Sequence, residues 1–253
     1  MQISHAIVRP PPENFSQGIT SSGLGKPDYN LALKQHQEYC EALKNSGVNL
    51  TVLKQDPEFP DSCFVEDTAV VNERCAVITR PGDKRRRGEE IKIKQVLSSY
   101  RKLESIQKPG TVDGGDVLRI HNTYFIGLSQ RTNQEGAQQL KEKLMKYSYG
   151  SEFIPVRDML HLKSGVNYLD RDVVVIRKEL SSLRFFTSFR KITVSPQEAY
   201  AANCIFVNGT VLMPSNFPET LRKIKSQGFE VIELQMSEFE KMDGGVSCLS
   251  IRF

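Results

Sequence analysis

The sequence predicts an α/β protein built from one ββαβ module used five times, and three observations carry that prediction. Pairs of apolar, strand-like runs joined by short turns recur along the chain. Stretches with helical apolar spacing separate the pairs, and short strand-like runs follow four of those stretches. A distinctive polar residue returns at Glu66, Asp113, His161, Asn203 and Cys248, at intervals of 47, 48, 42 and 45 residues, the period of one supersecondary unit.

In chain order, residues 3–9 form a strand with no partner before it. Residues 16–27 are rich in Gly and Ser around Ile19, the composition of a mobile lid. A helix over 28–45 ends at Gly47, suited to the residue after a helix, and a strand follows over 48–53. The first hairpin is FVEDTAVV, turning at Asn72-Glu73-Arg74 into CAVITRPG. A basic run, 83–87, precedes a helix over 88–100, where Glu89 and Glu90 sit at the favourable end of the dipole, and a strand over 103–106.

The second hairpin is TVDGGDVLRI with TYFIGL, followed by a helix over 133–147 and a strand over 153–156. The third is LHLKSGVNYL with VVVIR, followed by a shorter helical segment over 179–190. The fourth, YAANCIFV with TVLMP, turns at Asn208-Gly209, a strong two-residue hairpin signal, before a helix over 218–227 and a strand over 229–234. The tail, 246–253, reads as a strand that presents Cys248; it lacks a following partner just as residues 3–9 lack a preceding one. Pairing of the two ends would complete the fifth module and close a ring, giving one domain over 1–253.

Composition narrows the function. The chain has 253 residues, 39% of them hydrophobic, enough for a large core. Basic residues number 34 and acidic residues 30, a net +4 without a strong polyanion signature. The basic run has no aromatic platform beside it and reads as a solvated loop, so no nucleic-acid partner is expected. No secretory start and no apolar run of membrane length are evident, and a cytoplasmic protein without membrane association is expected. Five cysteines, at 40, 63, 75, 204 and 248, form no CxxC pair and suggest neither a disulfide framework nor a zinc ribbon.

Most lone cysteines are small buried hydrophobes and most lone histidines are structural. Here one period places Cys248, His161 and the carboxylates of Glu66, Asp67, Asp113 and Asp116 near the same height, and thiol, imidazole and carboxylate are the parts of a covalent catalyst. Gathered acids are costly unless a cation neutralises them, so the implied ligand is a small cation. Acyl hydrolysis would want an oxyanion hole, and metal hydrolysis more than one of the chain's four histidines. A planar guanidinium attacked by Cys248 fits the set.

The motifs FVEDTAVV, TVDGGDVL, LHLKSG, AANCIFVN and DGGVSCLSIRF, with ITRPG, RTNQEG and SSGLGKPDY, resemble those of the dimethylargininases, members of the guanidino-modifying (pentein) superfamily. The resemblance covers nearly the whole chain. It implies a five-bladed α/β propeller of pseudo-fivefold symmetry that hydrolyses N-methylated arginine to citrulline and a methylamine without a cofactor or metal. By position, Cys248 is the nucleophile, His161 the general acid and base, and Asp113 the acid that orients His161; some short bacterial members carry Glu there. Glu66 and Asp67 would line the guanidinium site. Asp61, Arg86 and Arg131 match substrate-binding positions, the arginines suiting a substrate carboxylate. Ile19 matches a lid residue, and Met242 and Gly245 match positions that touch substrate through backbone.

The nearest rivals are other guanidino-group enzymes of that fold: arginine deiminase, agmatine deiminase or an amidinotransferase. Agmatine has no carboxylate for Arg86 and Arg131, and free-arginine deiminases are generally longer chains. A non-catalytic propeller that binds ribosome or RNA would have no use for the Cys, His and acid set. The expected partner is a small cationic amino acid; a homodimer is left open.

Overall fold

Capping residues and apolar alternation put the elements close to where the sequence places them. The computed structural model describes residues 2–253. Its order is β1 (His5–Val8), α1 (Tyr29–Asn45), β2 (Asn49–Val52), β3 (Ala69–Val71), β4 (Cys75–Ile78), α2 (Glu90–Leu97), β5 (Lys102–Ser105), β6 (Val117–Ile120), β7 (Thr123–Leu128), α3 (Gln134–Met145), β8 (Gly150–Pro155), β9 (Val166–Tyr168), β10 (Val173–Arg177), α4 (Lys178–Ser181), β11 (Arg190–Val194), β12 (Ile205–Val207), β13 (Thr210–Pro214), α5 (Pro218–Ser226), β14 (Glu230–Leu234), α6 (Ser237–Glu240) and β15 (Ser250–Arg252).

The strands make five three-stranded sheets: β15-β1-β2, β3-β4-β5, β6-β7-β8, β9-β10-β11 and β12-β13-β14. In each, the central strand runs antiparallel to the first and parallel to the third. A parallel partner needs a long crossover, and the intervening helical segment supplies it. The chain ends share one sheet, with Ala6 opposite Arg252 and Val8 opposite Ser250.

Local chemistry explains the boundaries. Asp28 starts α1 by accepting the Leu31 N–H at 2.8 Å, and Asn133 starts α3 by accepting the Gly136 N–H. Gly47 follows α1 with φ +80°, a left-handed exit open to glycine. Tyr39 and Leu43 of α1 pack with Ala6, Val8 and Val48, and Leu140 and Leu144 of α3 pack with Val117 and Ile126. Truncating one such buried Leu to Ala costs about 2–5 kcal/mol. No described helix is long and apolar enough to cross a membrane.

Three expectations need correction. The polar residues singled out by the period do not lie on the first strand of each module but in or beside 3-10 turns that precede it; the Cys248 stretch is the turn Ser247–Leu249, and the strand begins only at Ser250. The 179–190 segment does not form one helix, although Leu180, Leu183, Phe185, Phe186 and Phe189 all pack in or against the core. It breaks into α4 and a 3-10 turn, Arg184–Phe186, before β11, a strand the sequence reading left out. Helix α2 starts at Glu90 because Gly88, with φ +120°, is not helical.

Candidate active site

A 3-10 turn advances three residues per turn, so consecutive side chains leave it in different directions. Val65–Thr68 sends Glu66 one way and Asp67 another; Asp113 precedes Gly114–Asp116, His161 precedes Leu162–Ser164, and Asn203 follows Pro196–Ala202. His161 lies against the Gly115 backbone so closely that a Cβ there would come within 2.6 Å of Nδ1. Glycine at 115 is therefore a requirement of the imidazole's position.

His161 Nε2 is 3.1 Å from Asp113 Oδ2 and 4.0 Å from Asp67 Oδ1. Asp113 Oδ1 accepts the Gly82 N–H at 2.9 Å, and its own N–H donates to Thr132 Oγ1, so the acid is held while it holds the imidazole. Burial opposes a charged imidazole, but Asp67, Asp113 and Asp116 outweigh it and raise the His161 pKa to about 9.

Asp67 Oδ1 accepts the Gly115 N–H at 2.8 Å, and Oδ2 pairs with Arg86 Nη1 at 2.5 Å. Burial works against this carboxylate, yet His161 and Arg86 keep its pKa well below the usual range. Arg86 also donates from Nε and Nη2 to Glu89 and from Nη2 to the Phe64 carbonyl. Burial lifts Glu89 to about 7 against the pull of Arg86.

Cys248 is the only one of the five cysteines that is not buried. Its Sγ accepts the Gly245 N–H at 3.3 Å. Burial of the sulfur, with the charges of Glu66 and Asp67 added, pushes the thiol up to about 12.

The lid segment is fastened over the site. The Ile19 N–H donates to both Asp61 oxygens, the Thr20 and Ser22 hydroxyls donate to the Lys241 carbonyl, and the Ser21 N–H donates to Asp243 Oδ2. Ligand atoms of Asp67, Asp113 and His161 lie within 4.8 Å of one another, a spacing that could hold a cation. Asp67 is paired with Arg86 and Asp113 faces the imidazole, so the trio reads as a charge cluster that holds a proton on His161.

Two cavities flank these turns. The larger, about 470 Å³, is lined by Glu66, Lys163 and Arg252 among apolar strand residues and includes neither Cys248 nor His161. The smaller, about 30 Å³, is lined by both. Chemistry, not size, makes the smaller one the candidate site.

Residues 20–181 match the family model described as N,N dimethylarginine dimethylhydrolase, eukaryotic. The chain is 44% identical over 251 residues to the N(G),N(G)-dimethylarginine dimethylaminohydrolase of Pseudomonas aeruginosa, covering 98% of this chain and 99% of that one. This chain belongs to the dimethylarginine dimethylaminohydrolase family. Two crystal structures of dimethylarginine dimethylaminohydrolases, each 44% identical, align over the full length of both chains with a TM-score of 0.98. One is the P. aeruginosa protein as a Cys-to-Ser mutant complexed with citrulline; the other is a His-to-Gly form as an adduct with S-methyl-L-thiocitrulline.

Of the family positions carried over from the sequence, Ile19, Asp61, Asp67, Arg86, Arg131, His161, Met242 and Cys248 all line the small cavity, with Asp113 directly behind His161. Two do not. Glu66 turns to the large cavity, where it pairs with Lys163 at 2.7 Å and Arg252 at 3.1 Å. Gly245 serves the sulfur through its N–H, and a Cβ on it would strike the Asn203 amide. Phe64, Leu160, Asp243 and Gly244 line the cavity and were not anticipated. Glu89, read as a dipole partner, is a partner of Arg86; an acid three residues after an arginine at a helix start was the available signal.

Proposed function

We propose that this chain hydrolyses Nω-methylated arginine to citrulline and a methylamine through a covalent intermediate on Cys248. The observation that carries this reading is the joining, in one lidded cavity, of a half-buried Cys248, an imidazole that its acids keep charged, and opposed acidic and basic walls. Asp61 and Asp67 give the negative wall that a guanidinium requires. Arg131 gives the cation for the substrate carboxylate.

A bound guanidinium favours the Cys248 thiolate, whose proton leaves to solvent. The thiolate adds to the guanidinium carbon and forms a tetrahedral adduct. His161, already an imidazolium, donates its proton to the methylated nitrogen; the C–N bond breaks and a thiouronium remains on sulfur. Neutral His161 then takes a proton from the water that attacks the same carbon. Cleavage of the C–S bond, with the hydroxyl proton passing to the departing sulfur, regenerates the thiol and releases citrulline.

We also read the five sheets as blades of one closed α/β propeller over 1–253. Their identical topology and the antiparallel pairing of β1 with β15 support that reading. A cytoplasmic location suits five cysteines that are all free. The deciding experiment is citrulline release from arginine, monomethylarginine, dimethylarginine and agmatine. Turnover of the methylated forms is expected; preference for arginine or agmatine would move the chain to a deiminase activity, and no citrulline from any of them would refute the reading.

A further inference from the structure

Next to Cys248 is a serine with no part in the chemistry above, yet each of its polar groups is held. The Ser247 N–H donates to Asn203 Oδ1 at 2.8 Å, and its carbonyl accepts from Arg252 Nη1 at 3.0 Å. Its hydroxyl donates to Glu66 Oε2 at 2.7 Å and accepts from Asn203 Nδ2 at 3.2 Å. Ser247 is fully buried.

The partners are locked to one another. Glu66 Oε1 takes Lys163 Nζ at 2.7 Å and Arg252 Nη2 at 3.1 Å, and the Asn203 amide also donates to the Lys163 carbonyl. The Asn203 amide packs where a Cβ of Gly245 would be, so it touches the nucleophile loop on both sides of Val246. By contrast, the Cys248 sulfur has only weak polar contacts, to the Gly245 N–H at 3.3 Å and the Ser247 hydroxyl at 3.9 Å. The thiol is therefore placed by its backbone, and that backbone is placed by Ser247.

We propose that Glu66, Asn203 and Arg252 are positioning residues that clamp Ser247 and thereby aim Cys248, with Glu66 acting through the serine instead of binding the substrate cation. The inference rests on the proposed function for the reaction it serves. Reacting atoms must be held to within tenths of an ångström, and a misplacement of about 1 Å can cost on the order of 100-fold. Glu66, Lys163 and Arg252 border the 470 Å³ cavity, so loss of the Glu66 charge leaves cations beside space that water can enter.

The test uses Ser247→Ala, Ser247→Thr and Glu66→Gln in the full chain, reading kcat and KM for dimethylarginine and the rate of Cys248 alkylation by iodoacetamide. Ser247→Ala is expected to lower kcat by about 10- to 100-fold with KM within about threefold, and to speed alkylation as the turn loosens. Ser247→Thr, which keeps the hydroxyl, should recover most of kcat. Glu66→Gln should lower kcat by less than Ser247→Ala, again with KM held. A large KM increase in Glu66→Gln at unchanged kcat would make Glu66 a substrate ligand and overturn the proposal, as would wild-type kcat and alkylation in Ser247→Ala. If Ser247→Ala does not fold, the other two variants decide. Alkylation needs no substrate, so an enzyme inactive on methylarginines would refute the function while the alkylation rates still judged the clamp.

Discussion

Asp113 Oδ2 stands 3.1 Å from His161 Nε2, and that contact lies within a group of acids that reverses the effect of burial on the imidazole. A buried histidine is ordinarily neutral. With its pKa near 9, His161 enters the reaction as an acid and becomes a base only after giving its proton away.

Asp113→Asn tests the contact. The side-chain oxygen that accepts the Gly82 N–H would stay, which turns an amide NH₂ toward Nε2. A donor there opposes the imidazolium, so kcat should fall by about 100-fold or more. The alkaline limb of the pH profile should move below about 9. An unchanged limb would assign the elevated basicity to Asp67 and Asp116 alone.

The same shift predicts how stability depends on pH. The folded-state pKa is raised from 6.5 to about 9, so the stabilisation is complete below 6.5 and is lost as pH rises through about 9. The span corresponds to about 3 kcal/mol for this buried group. Thermal unfolding of the wild type should weaken across that window, and His161→Gln should flatten the dependence. Parallel curves for the two proteins would contradict the acid cluster's hold on the proton.

The repeat was legible because paired apolar runs, the Asn208-Gly209 turn and the helical spacing that ends at Gly47 are local signals, and local signals decided those elements. The site was legible in part from the period, which selects Asp113, His161 and Cys248, whereas Ile19, Asp61, Arg86, Arg131 and Met242 rested on the family resemblance. What the sequence could not give was direction. Glu66 and Asp67 are neighbours, yet a 3-10 turn sends one to Lys163 and Arg252 and the other to Arg86 and Gly115. Arg86 looked free for a substrate because its partners, Asp67 and Glu89, are chosen by the folding of the basic loop onto the Val65–Thr68 turn. Short, irregular pieces such as α4 carry too little periodicity to be read.

Cys248 makes a prediction of its own. With the thiol near 12 and His161 near 9, the free enzyme holds a neutral thiol beside an imidazolium, so substrate must lower the thiol's pKa. Iodoacetamide inactivation of the free enzyme should rise through about pH 10 with no plateau. A plateau below about pH 8 would mean that burial and the charges of Glu66 and Asp67 do not govern the sulfur. Cys248→Ser should fold normally and lose turnover, and mass spectrometry of quenched wild type should find the adduct on Cys248.

The two cavity arginines should behave differently. Arg131 is loosely held, with Nη1 3.8 Å from Asp113 Oδ2 and 4.0 Å from Asp83 Oδ2, so its charge is available to a ligand. Arg86 is spent on Asp67, Glu89 and the Phe64 carbonyl. Arg131→Ala should raise KM for methylarginines by roughly ten- to 150-fold, the equivalent of a charge-assisted hydrogen bond of about 1.5–3 kcal/mol. An alkylguanidine without a carboxylate should lose far less. Arg86→Ala instead strands two buried carboxylates, a change that costs about 3–5 kcal/mol when a buried pair is broken. Its melting temperature should fall, and kcat/KM should fall alike for both substrates. Arg86→Ala that melts like wild type and still discriminates between the substrates would restore this arginine to the substrate carboxylate and make its pairing with Asp67 incidental.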